Sequence, residues 1–281
     1  VSNTEVEDVS LAEVIHEKSN GNALYCKYLV DHAVTNKTLT SFEWITTLPP
    51  YDFNLAGYYQ YLYEQIQGDT RVPYAFCGAD FSVTETELRE ITHLGTLVSK
   101  QLTFLKPVLK YTPALGYSIY HESFKRFVID TINSQGASID HLIYRPLIVW
   151  LETHSFFEST RAYGHLLKLY YEVDAYDTIS KTISSDFIDD SLYHAQPFHS
   201  IRQNHYLQRA SLKFVDDLVL MIIITEQAKI IEEIEHNITD QVLINYLKAV
   251  QKIHGDEAMY RVLWDEEHLL VDTKDALRFL A

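Results

Sequence analysis

Cysteine is almost missing from this chain: Cys26 and Cys77 are the only two among 281 residues, and they show no C-x-x-C or other metal-ligand spacing. They read as two isolated, reduced, packed thiols, which fits an intracellular protein best. Glycine is also sparse, with 9 residues against 20 tyrosines, which argues against a glycine-punctuated α/β enzyme and for helices packed through large aromatic faces. No G-x-x-x-x-G-K-[ST] and no G-x-G-x-x-G occurs, so the chain lacks the backbone amides that such glycines arrange around a phosphate. H-E-x-x-H and the G-x-S-x-G elbow are absent too, and no residue is assigned a catalytic role.

Positive charge is the minority sign. Lys and Arg total 23 against 39 Asp and Glu, a formal net charge of -16, which argues against a chain whose main work is gripping phosphate backbones. Long apolar runs are missing as well. The longest, LVLMIII at Leu218–Ile224, falls short of the ~20 residues that span a bilayer, is flanked by Asp216, Asp217 and Glu226, and reads as a buried helix. The opening SNTEVEDVS has neither the basic nor the apolar region of a signal peptide. A first residue Val1 suggests a piece of something longer, so a missing motif is expected upstream.

What is present is mostly helical periodicity. Ser10 and Glu13 form a capping-box pattern ahead of LAEVIHEK, and the helix should stop at Ser19-Asn20-Gly21-Asn22. A second helix runs through ALYCKYLVDHAV, with a stripe at Leu24, Cys26, Tyr28, Leu29 and Val30. Pro49-Pro50 break the chain before Leu55, Tyr58, Tyr59, Leu62 and Ile66 restart helical spacing. Residues 1–70 therefore read as a small helical domain.

Residues 71–133 have another rhythm. Val72–Ala79 is a buried helix or turn, and Ser82 with Glu85 is a capping-box pattern for a helix burying Leu88 and Ile91. After the turn at Leu94-Gly95-Thr96 comes the helix TLVSKQLTFL, and then VLKY and YSIYH alternate around TPALG as a β-hairpin. Helix, turn, helix, hairpin, helix is the order of a winged helix. Its second helix offers Lys100 and Gln101 as readers of DNA, amid enough apolar residues to look made for burial. Past NSQGAS, residues 134–281 read as helices separated by short turns, an antiparallel superhelical array of TPR-like character. The mainly α fold is thus a helical bundle, a winged helix with a short β-hairpin, and a helical-repeat region.

Two sets of histidines invite a site. His194, His199 and His205 fall in a proline-interrupted stretch without cysteine partners, so no metal is assigned to them. His121, in GYSIYHESFKRF, stands where a period-two strand hands over to helical spacing at Phe124, Phe127 and Val128. From the residues alone, packing on Phe124 and contact with a group outside this chain both remain open.

The series SNGNALYCKYLVDH, LPPYDFNLAGYYQYLYEQI and YSIYHESFKRFV resembles the region after the nucleotide-binding domain in NACHT-type STAND NTPases, over about residues 10–132. The resemblance implies that His121 matches the winged-helix histidine that contacts the β-phosphate of bound ADP and holds the resting state closed. It also implies that Gly21, Asn22 and Ala23 match the Gly-x-Pro turn near the adenine, with Ala23 where the family usually has Pro. ADP or ATP with Mg would belong to the parent protein and bind with an upstream nucleotide-binding domain; none is bound by this segment alone. The helical array would recognise a protein ligand, a phage protein in bacterial antiviral members, followed by homo-oligomerisation. A cytoplasmic protein is expected, and the short apolar run and the acidic charge argue against membrane and nucleic-acid partners. The rival expectations are a transcriptional regulator whose winged helix binds DNA and whose helices bind an inducer, and a plain scaffold of helical repeats.

Overall fold

The computed structural model describes residues 11–36, 43–52, 54–66, 68–113, 115–237, 240–265 and 268–269. Helices dominate them, and the strands pair only as short antiparallel hairpins, so the chain is mainly α with a short β-hairpin. It divides into two compact units, Val1–Leu147 and Ile148–Ala281. The segments expected at 1–70 and 71–133 both lie in the first unit, while the one expected at 134–281 begins there and supplies all of the second.

The first unit opens with α1 (Leu11–Ser19) and α2 (Ala23–Asn36), which pack on each other. Ser10 lies outside the described residues, and with it the cap expected for α1. On α2 the buried residues are Tyr25, Tyr28, Leu29 and Ala33; Val30, expected inside, is exposed. The true stripe follows i, i+3, i+4, i+8 from Tyr25, which leaves Val30 on the far side. Next come α3 (Glu43–Thr47) and α4 (Ala56–Gln65), where Tyr58, Tyr59 and Leu62 are buried at the expected spacing. Aromatic faces join these helices: the Tyr28 and Tyr58 rings stack at 5.4 Å, and Tyr25 meets Tyr58 edge-on at 5.2 Å.

The winged helix follows. Its first helix, α5 (Arg71–Gly78), buries Val72 through Cys77 without a break, because α6, α8 and strand β2 all pack on it. Here α6 spans Glu85–Thr92, α7 spans Leu97–Leu105, and α8 spans Glu122–Ser134. Strands β1 (Leu109–Thr112) and β2 (Gly116–Ile119) pair antiparallel with Lys110 opposite Ser118. Val83 adds a single bridge to Tyr117, giving and receiving backbone bonds of 2.7 and 2.8 Å.

That bridge moves the start of α6. The cap expected at Ser82 and Glu85 is formed two residues later: the Glu87 amide donates to Thr84 Oγ1 at 3.2 Å, and the Thr84 amide donates to the Glu87 carboxylate at 2.7 Å. Val83 is held extended by Tyr117, so helical geometry cannot begin before Thr84. On α7, Gln101 is not available to a base. It is 4% exposed, and its amide donates to the Asp69 carbonyl at 2.9 Å. The outward face carries Leu97, Ser99, Lys100 and Thr103.

A π-helical turn at Asp140–Tyr144 packs on α5, and α9 (Arg145–Glu152) carries the chain across the division between units. In the second unit, α10 (Thr160–Glu172), α11 (Tyr176–Ser180), α12 (Phe187–Tyr193) and α13 (Phe198–Ser211) precede α14 (Leu218–Asn237). Helix α13 packs against α10, α11 and α14. Then α15 (Asp240–His254) and α16 (Asp256–Leu263) pair closely before the minimal hairpin of β3 (Trp264–Asp265) and β4 (His268–Leu269). A core of Tyr163, Phe187, Ile201, Leu247, Met259 and Val262 joins α10, α12, α13, α15 and α16.

The run LVLMIII departs from expectation. It opens α14 as a new helix, because the Asp217 carboxylate accepts from the amides of Val219 at 2.9 Å and Leu220 at 3.2 Å. Nor is it buried: Leu218 and Ile222 are 71% and 56% exposed, while Ile224 is at 4%. Helix α13 covers one side of α14, and the apolar run continues around the side it leaves open.

Candidate functional site

His121 ends the hairpin and starts the helix. It is the N-cap of α8, with extended backbone, and its Nδ1 accepts from the Ser123 amide at 3.2 Å. The Ser123 hydroxyl lies 2.8 Å from the same nitrogen and 2.6 Å from the hydroxyl of Tyr59 on α4, whose hydroxyl is 3.4 Å from that of Tyr28 on α2. Burial raises the pKa of both tyrosines, so both hydroxyls keep their protons at neutral pH. The ring of Phe124 is buried and meets Tyr59 edge-on at 5.4 Å, but the His121 imidazole itself is exposed. It is not a packing residue under Phe124.

The imidazole instead lines a cleft of about 530 Å3. One wall is α8: Ser123, Arg126, Phe127, Asp130, Thr131 and Ser134 recur at helical spacing and face it together. The other wall comes from the opening helical segment, with Leu24, Tyr51, Asn54, Leu55, Ala56 and Tyr59. Aromatic and aliphatic side chains thus face a histidine, an arginine, one carboxylate at Asp130 and several hydroxyls. Arg126 is exposed and makes no ion pair among the described residues. The N-terminus of α8 adds its partial positive charge beside His121. Chemically, the cleft suits a ligand with an anionic end and a flat or apolar body.

Of the second expected motif, Gly21, Asn22 and Ala23 are not among the residues lining this cleft, which begin at Leu24. Asn20 and Gly21 have φ of 49° and 72°, a left-handed pair that ends α1, and the Gly21 amide donates to the His16 carbonyl at 3.3 Å. Asn22 then caps α2, its Oδ1 accepting from the Tyr25 amide at 2.9 Å. Ala23 is the first residue of α2, and Leu24, next to it, lines the cleft with His121. A proline would be tolerated at this first helical position, where the amide has no helical partner. Alanine where the resembled family has proline therefore leaves the turn and the helix start unchanged.

Periodicity and turn chemistry marked His121 at a strand-to-helix seam and Gly21 and Asn22 at a helix end, and the resemblance alone put these and Ala23 at a nucleotide; neither marked Tyr51, Asn54, Ser123 or Arg126. A signal for the α8 residues was available in the polar positions at i, i+3, i+7 and i+8 from Ser123. For Tyr51 and Asn54 there was none, since only tertiary packing brings the loop after Pro50 to α8.

The remaining reactive groups are occupied elsewhere. The Cys77 thiol is buried and pushed up to about 12 by that burial, so it stays protonated. His205 is buried with Nε2 3.1 Å from the Ile224 carbonyl, and the His194 ring stacks on Phe157 at 6.1 Å. Among the described residues, no three His, Cys, Asp or Glu side chains are placed to hold a metal, and no helix is long and apolar enough to cross a membrane. No protein-family model, curated protein or solved structure matches this chain.

Proposed function

We propose that this chain is the regulatory and sensor portion of a NACHT-type STAND ATPase switch, acting in antiphage defence from the cytoplasm. In this reading the P-loop lies in a nucleotide-binding domain upstream of Val1, and the winged helix keeps the resting ADP state closed. The observation that supports it is one cleft lined by His121 and by Leu24, the residue that follows the Gly21-Asn22-Ala23 turn in the chain.

The chemistry suits the assignment. His121, at the positive end of α8, and Arg126, one turn further along, offer donors for a phosphate, and Leu24, Leu55 and Tyr51 offer an apolar wall for a base. ADP, or ATP with Mg, would be shared with the upstream domain. The helices of the second unit would read a protein ligand, and release of the closed state would permit homo-oligomerisation.

Removing one charge-assisted bond costs ~1.5–3 kcal/mol, enough to move a closed-to-open equilibrium by about one to two decades. His121→Ala in the full-length parent is therefore expected to speed ADP release and to raise ligand-free assembly, measured by nucleotide-release kinetics and light scattering. Unchanged release together with no ligand-free assembly would remove the phosphate role from His121.

A further inference from the structure

The hydrogen bonds around His121 have a direction. A backbone amide can only donate, so the Ser123 N–H, 3.2 Å from Nδ1, requires an unprotonated Nδ1 with its lone pair outward. The 2.8 Å contact between Nδ1 and the Ser123 hydroxyl then needs a proton that the ring nitrogen does not carry, so the hydroxyl donates it. With that proton committed, the 2.6 Å contact to Tyr59 is made by the Tyr59 proton, and the longer 3.4 Å contact by that of Tyr28. Every donor points towards Nδ1.

We propose that Ser123 and Tyr59 are positioning residues that lock His121 in the Nε2–H tautomer, presenting a neutral imidazole as a hydrogen-bond donor to an acceptor in the cleft. Nε2, on the far side of the ring, makes no hydrogen bond among the described residues. The ligand class that this nitrogen takes is an oxygen acceptor such as a phosphate, and it takes it without first acquiring a proton. That the acceptor is a nucleotide phosphate rests on the switch reading above; the tautomer and its cause do not. The same chain of hydroxyls joins His121 to α4 and α2, so the histidine is oriented by the opening helical segment and not by α8 alone.

Nitrogen-15 NMR of the imidazoles reads this directly, with His121→Gln used to identify the His121 signals among the thirteen histidines. At a pH where His121 is neutral, the 281-residue chain should show Nε2 protonated and Nδ1 bare. Ser123→Ala removes the hydroxyl donor and should shift the tautomer ratio towards Nδ1–H by about fivefold, equivalent to ~1 kcal/mol. Tyr59→Phe, which preserves the packing on Phe124, should shift it the same way by less, and Ser123→Thr should restore it.

A wild-type ring protonated on Nδ1 overturns the proposal, as does a ratio indifferent to both Ser123→Ala and Tyr59→Phe. ADP release from the full-length parent reports separately on the ligand: a locked tautomer in the 281-residue chain, with release from the parent indifferent to His121→Gln, would count against the nucleotide and leave the positioning role standing.

Discussion

Gly116, at the start of β2, meets two constraints at once, and replacing it by alanine tests the geometry that delivers His121. Its φ is +98°, which an L side chain rarely adopts. A Cβ built there would lie 2.5 Å from the Val83 carbonyl oxygen and 2.8 Å from the Thr84 nitrogen, both backbone atoms that cannot swing aside. The backbone conformation alone costs of order 1–3 kcal/mol for alanine. Relieving the contact means parting Val83 from Tyr117, which gives up two backbone hydrogen bonds at about 1 kcal/mol each.

Gly116→Ala should thus destabilise the first unit by about 3–5 kcal/mol, a large part of the 5–15 kcal/mol of a whole domain. Gly136→Ala is the control: φ is +65° there but no atom lies within 4 Å, so the expected cost is only ~1–2 kcal/mol. Urea unfolding followed by circular dichroism compares the two, and amide exchange at Val83 and Tyr117 localises the damage. Costs for the two variants within about 0.5 kcal/mol of each other would refute the reasoning, because the clash at Val83 would then carry no energy.

Two further outcomes follow from the same structure. Thr84→Ala should cost about 1 kcal/mol through loss of the α6 capping box, whereas Ser82→Ala should stay within ~0.5 kcal/mol; the reverse order in urea midpoints would return the cap to Ser82. His205 is held below its ordinary value of 6.5, first by burial and then by Arg209, with the Ile224 carbonyl opposing. It is therefore neutral in the folded unit while the unfolded chain takes up a proton below about pH 6.5. Its contribution is full above that pH and is lost as pH falls towards the depressed folded value, so His205→Gln should flatten the acid-side fall in the urea midpoint.

Much of the fold was legible because it depends on local periodicity. The spacing of Tyr58, Tyr59, Leu62 and Ile66, the turn at Leu94-Gly95-Thr96, and the two alternating segments around Pro113 and Gly116 each specify an element from a few consecutive residues. The histidine at the strand-to-helix seam was visible for the same reason. Where expectation and structure part, a distant residue intervened: Tyr117 holds Val83 extended and delays α6, and Asp69 draws the Gln101 amide inward, away from the face where a reader of DNA would need it.

The apolar run of α14 shows the limit most plainly. Its hydrophobicity determined that Leu218–Ile224 would be helical and too short for a bilayer, but burial is a property of what packs alongside, and α13 covers only part of it. The cleft is the same case in a more consequential form. The sequence by itself determined the strand-to-helix seam at His121 and the turn at Gly21 between α1 and α2, since changes of periodicity and left-handed turns are decided within a few residues. Only the tertiary structure decided that α2, the loop before α4 and α8 enclose one space, and that Tyr59 reaches Ser123 behind the imidazole. Those contacts join residues far apart in the chain, and no short-range pattern encodes them.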